Sequence, residues 1–121
     1  MYVKSIKWLD TICKEAEVEI SDSEYNIVCF SQPCTYVKNQ EINEPLECLN
    51  ASNIMLADVN MYKVVKENAP YAYTIYGKLI HEKGIVQLGS SIMLHIDSNK
   101  IPKDIEVNSY IVFCVDRIDL W

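Results

Sequence analysis

SNIMLADVNMYKVVKENAP (52–70) decides the fold. Read with the helical period, Ile54, Ala57, Met61, Val64 and Val65 fall on one face. Ser52 or Asn50 caps the start and Pro70 stops the run. Read with period two, the same letters are two short strands, IMLADV and YKVV. The first reading sets one helix into a β domain; the second makes the chain all-β. The apolar stripe fits the helix better and predicts one helix around residues 52–68.

On either side of this stretch the period is two. In KEAEVEISD (14–22), Ala16, Val18 and Ile20 alternate with Glu15, Glu17 and Glu19, which puts three apolar groups on one strand face and three carboxylates on the other. SDSE (21–24) supplies turn chemistry, because Ser and Asp side chains bond nearby backbone. YNIVCFS (25–31) is apolar on both faces and completes a hairpin. The first ten residues read as a strand. KNQE (38–41) is a polar break, and Pro45 demotes EINEPLECL (41–49) to an edge strand or a bulge. YAYTIYGKLIH (71–81) is rich in β-favouring residues, and EKG (82–84) is a hairpin turn. IVQLGSSIMLHID (85–97) reads as one long strand with a bulge at Gly89. SNKIPKD (98–104) is a loop, and EVNSYIVFCVDRIDLW (106–121) carries the last strand.

The expected fold class is therefore mainly β: a small five- to six-stranded barrel or half-barrel, with the helix after the third or fourth strand. The order strand, strand, strand, helix, strand, strand resembles that of an OB-fold in architecture. With 121 residues and no internal linker or repeat, residues 1–121 are expected to form a single domain. Three glycines and four prolines argue against low complexity. MYVKSIKWLD has no apolar core of a secretory signal, and no apolar run approaches the ~18 residues of a membrane helix. The expectation is a cytoplasmic protein with no membrane partner.

Acids outnumber bases 17 to 11, a formal charge of −6. Nucleic-acid affinity comes mainly from cations that displace phosphate counterions. The bases here are scattered singly, so the balance disfavours nucleic acid and favours a basic protein partner. The count of five cysteines is odd and matches no small secreted scaffold, so free thiols in a reducing compartment are expected.

Three constellations carry chemistry. Glu15, Glu17 and Glu19 form a carboxylate row with roughly 7 Å between neighbours. It suits the lysines of a partner, or it is a solvated strand face that discourages aggregation. As equal, exposed carboxylates they offer no split of pKa for acid–base catalysis. Tyr71 and Tyr73 share a strand face, with Tyr76 and Lys78 close by. They suit base stacking on an OB-type sheet, or cross-strand aromatic pairing. CFSQPC (29–34) holds Cys29 and Cys34, a weak metal or redox pair. Five extended steps separate them by roughly 16 Å, and no second pair completes a zinc site. At the end of the chain, Arg117 and Asp119 suit an ion pair on one strand face.

No nucleophile elbow, P-loop, dinucleotide fingerprint or zinc-protease motif occurs. The first functional reading is a non-catalytic, acidic protein-binding module without a cofactor, in concrete form an immunity- or antitoxin-like inhibitor of a basic partner. The alternatives are an OB-like single-stranded nucleic-acid-binding protein and a cysteine-dependent metal or redox protein.

Overall fold

The chain from Asn50 to Pro70 is extended, not helical. In the computed structural model, which describes residues 1–121, Ser52–Leu56 and Lys63–Lys66 are strands and no α-helix occurs anywhere. The expected helix around 52–68 is corrected on physical grounds. Asn50 and Asn53 adopt left-handed φ of 54° and 53°, which interrupts a helix at its first turn. Ile54 alone is buried in Ser52–Leu56, while Met55 and Leu56 stand 53% and 52% exposed, the pattern of a sheet-edge strand with little cover rather than of a helix with an apolar face. The helical stripe was a coincidence of spacing. Pairing with neighbouring strands overrides it.

Eleven strands form: β1 (Tyr2–Asp10), β2 (Glu15–Ser21), β3 (Asn26–Ser31), β4 (Leu46–Leu49), β5 (Ser52–Leu56), β6 (Lys63–Lys66), β7 (Tyr73–His81), β8 (Ile85–Leu88), β9 (Ile92–His95), β10 (Tyr110–Val115) and β11 (Arg117–Asp119). They make one sheet in which ten run in the order β1-β2-β3-β11-β4-β9-β8-β7-β10-β5 and β6 pairs with β7 off this path. β3 with β11 and β4 with β9 are parallel; the other pairs are antiparallel. β7 is the hub. β10 runs along one of its edges, while β6 and β8 share the other, opposite Tyr73–Tyr76 and Lys78–His81 respectively.

The mainly-β expectation holds, while the five- to six-stranded count and the OB-like order do not. Nor does the ladder close into a barrel, because β1 and β5 end the path without pairing to each other. Two local expectations also change. Gly89, with φ of 68°, sits in a hairpin turn between β8 and β9 rather than at a bulge. Pro45 precedes β4, so its missing N–H costs the ladder nothing, and β4 lies centrally between β11 and β9.

With no helix to cover it, the sheet must bury its apolar face against itself. It curls around one cluster of 26 buried residues, drawn from nearly every strand. Alternation sets the cluster: Val18 and Ile20 on β2, Ile75 and Leu79 on β7, Ile111 and Phe113 on β10 all point inward and are fully or almost fully buried. Where the start of β7 comes round to β3, the two meet across a seam with no backbone ladder. There the Tyr73 hydroxyl accepts from the Val28 N–H at 3.0 Å, and the Tyr25 hydroxyl donates to the Tyr62 carbonyl at 3.2 Å. No helix is long and apolar enough to cross a membrane.

Gly84 closes the β7–β8 turn at φ of 92°, and a Cβ there would lie 2.1 Å from the Ile96 carbonyl oxygen. That carbonyl is backbone and cannot swing aside. Gly84→Ala is therefore expected to destabilise the fold by about 2 kcal/mol or more, read as a lower urea midpoint.

Candidate partner-binding groove

The strict alternation of β2 carries Val18 and Ile20 inward and Glu15, Glu17 and Glu19 outward. The three carboxylates thus share one half-exposed face, as the spacing predicts. They are not all free. The Tyr71 hydroxyl donates to Glu17 Oε1 at 2.7 Å, and the Ser5 hydroxyl donates to Glu19 Oε1 at 3.1 Å. Lys7 pairs opposite Glu17 on β1, and Val28 opposite Glu19 on β3.

Three depressions meet around Val28. An open groove of about 640 Å³ runs along the seam, lined by Glu19, Glu24, Tyr25, Asn26, Tyr62, Lys63, Val64, Lys66 and Tyr73. Beside it lies a hollow of about 290 Å³ formed with Glu17, Pro70 and Tyr71. A third, of about 210 Å³, is formed with Ser5, Lys7, Glu17 and Glu19. Glu17 and Glu19 therefore border these depressions together with Lys7, Lys63 and Lys66, while Glu15 continues the same strand face beyond them. Tyr71 reaches that strand face because its φ of 67° turns the chain just before β7. Its bond to Glu17 holds its phenol above the ordinary tyrosine range, with burial adding to the shift. A raised phenol favours the folded state below the unfolded pKa of about 10, and that contribution is lost as pH rises through the folded value. Glu17→Gln is expected to return the Tyr71 titration toward normal, followed by phenolate absorbance.

The remaining expected tyrosine platform is dispersed. Tyr73 points inward and is 5% exposed, its ring under the Lys66 ammonium at 5.5 Å. Tyr76 points to the opposite face, with Lys63 6.0 Å above its ring. Lys78 lies over Tyr110 at 5.8 Å. The structure thus unites Glu17, Tyr71 and Tyr73 but does not place Tyr71, Tyr73 and Tyr76 on one stacking surface.

Cys29 and Cys34 are both buried, and all five thiols are free. Burial pushes the Cys29 and Cys48 thiols well up, and each lies within the field of Asp119. No three His, Cys, Asp or Glu side chains come together in a metal-binding arrangement. A thiol in the core is a poor nucleophile. In native protein an alkylating reagent is expected to modify Cys13 at once and Cys114 more slowly. Cys29, Cys34 and Cys48 should react only on unfolding. Mass spectrometry of the native and denatured protein checks this order.

The same outer face continues across the sheet. Register places Glu17, Phe30, Asp119, Glu47 and His95 side by side on successive strands. Arg117 grips Asp119 through two bonds, of 2.7 and 3.0 Å, and its guanidinium stacks 4.5 Å from the Phe30 ring. His95 faces Glu47 at 2.7 Å and the Lys83 carbonyl at 3.2 Å. Both partners only accept, so the imidazole makes both bonds at once only with a proton on each nitrogen. The Arg117–Asp119 pair was legible in the sequence. Tyr62, Lys63 and Lys66 were not, because the helical reading of 52–68 separated them from β3, and Tyr25 was not, because its partner Tyr62 lay in that stretch.

Fold and groove together define a class: an all-β domain of one curled, open sheet with a surface groove beside the carboxylate face of β2. Residues 1–120 match the model of the family described as Uncharacterised conserved protein UCP019853, and the chain belongs to that family. No curated protein and no solved structure matches it.

Proposed function

We propose that the protein is a non-catalytic protein-binding module that takes a basic partner on the acidic face of β2 and the groove beside it. The observation that carries this reading is the carboxylate face of β2, whose Glu17 and Glu19 run on into an open groove, in a chain of net charge −6. Three carboxylates on one strand face of a chain with net negative charge steer an oppositely charged partner. A blocking role follows from the same complementarity, in the manner of an immunity protein or antitoxin that covers a basic enzyme. The free thiols suit the cytoplasm.

Affinity capture with tagged protein, with and without nuclease, tests the reading. The expected result is a basic protein that is retained after nuclease, released by salt, and not captured when the three glutamates are reversed. Recovery that vanishes with nuclease would overturn it in favour of nucleic acid.

A further inference from the structure

Resting on that reading, we infer that the basic partner contributes an extended segment, which docks in the seam as an added strand between β3 and β6. The hairpin geometry carries the inference. The bond from the Asp22 N–H to the Tyr25 carbonyl sets which β3 residues exchange bonds with β2: Ile27, Cys29 and Ser31. Asn26, Val28 and Phe30 therefore turn their main-chain groups away from β2. Phe30 finds β11, its carbonyl accepting from the Leu120 N–H at 2.9 Å. β11 reaches no further than Phe30, so Asn26–Val28 has no strand neighbour on that side.

β6 mirrors this. The bond from the Glu67 N–H to the Ala72 carbonyl sets Lys63 and Val65 to exchange bonds with β7, which turns the main-chain groups of Val64 and Lys66 outward. β6 pairs with β7 alone. Two strand edges thus face one open groove. The Tyr73 hydroxyl already sits on the Val28 N–H, where the carbonyl of an added strand would sit. Main-chain donors and acceptors on both walls select a polypeptide main chain.

Charge selects a basic one. Glu19 and Glu24 stand on the β3 side. On the β6 side the Lys66 ammonium is taken up by the carbonyls of Glu67, Ala69 and Ala72, at 3.0, 2.8 and 3.4 Å. Lys63 is drawn toward the Tyr76 ring. Within the groove Glu19 and Glu24 thus face two lysines whose ammonium groups already have partners; the excess of carboxylate comes from Glu15 and Glu17, which continue the β2 face beside Glu19, and an extended segment with lysine or arginine at alternate positions complements it.

The probe is a short synthetic peptide alternating lysine and valine, titrated into the full chain while amide exchange is followed by NMR. Two controls accompany it: the same peptide methylated at alternate backbone nitrogens, and a glutamate–valine peptide. Slower exchange at Asn26 and Val64, with about tenfold weaker binding of the methylated peptide, is expected. Binding of the lysine peptide that methylation leaves unchanged, or that protects neither amide, would overturn the added strand while leaving the acidic face intact. No binding of the lysine peptide, with a basic partner still captured, would do the same. Equal binding of the glutamate peptide would overturn the reading of a basic partner itself.

Discussion

Replacing Glu15, Glu17 and Glu19 together with lysine is expected to slow association with a basic partner by roughly 10- to 100-fold at low ionic strength. Each substitution changes the charge by two, so the formal charge of −6 becomes zero. The change falls on one face of one strand, where the three carboxylates look outward beside the groove. The fold should survive it. The side chains are partly exposed, and the bonds lost are those to Tyr71 and Ser5 at the surface, each worth about 1 kcal/mol. Steering is a long-range effect, so the deficit should shrink as salt shortens the Debye length to ~10 Å at about 0.1 M. Stopped-flow association across a salt series reads both quantities. An unchanged rate with an unchanged salt slope would remove the acidic face from the account.

Phe113→Ala is expected to cost about 3–5 kcal/mol of folding stability. Phe113 is fully buried on β10, directly opposite Ile75 of the hub strand β7. The curled sheet has no helix to collapse into the space, so a cavity would remain. Against a total of roughly 5–15 kcal/mol for a domain, that loss brings the chain close to unfolding. Trp121 is the contrast. It is 78% exposed, and its Tyr36 contact is made through the backbone carbonyl. Trp121→Ala should change stability by about 0.5 kcal/mol or less. Urea unfolding of both variants tests the placement of the core. A loss below about 1 kcal/mol at Phe113 would contradict it.

The strands with strict alternation were legible. β2 and its carboxylate row, the β2–β3 hairpin and its Asp22 turn, and the inward residues of β7 all follow from period two and turn chemistry. The stretch 52–70 was misread because five apolar residues happened to fall at helical spacing. Its strand character comes from pairing, of β5 with β10 far along the chain and of β6 with β7 just beyond it. The groove was half legible. Glu17, Tyr71 and Tyr73 were singled out for opposed reasons, and only the curl of the sheet brings them together. Tyr25, Tyr62 and Lys66 carry no local signal, because the seam exists only where two distant strand edges approach without pairing. The row from Glu17 to His95 is likewise a product of register across five strands.

The most direct measurement is photo-crosslinking in native extract from a reactive side chain installed at Glu24, at the lip of the groove. The control is the same group at Lys103, which lines no part of it. One dominant protein adduct is expected from position 24, resistant to nuclease, weakened by salt and absent when Glu15, Glu17 and Glu19 are lysine. Adducts equal to those at position 103, or adducts lost on nuclease treatment, would contradict it.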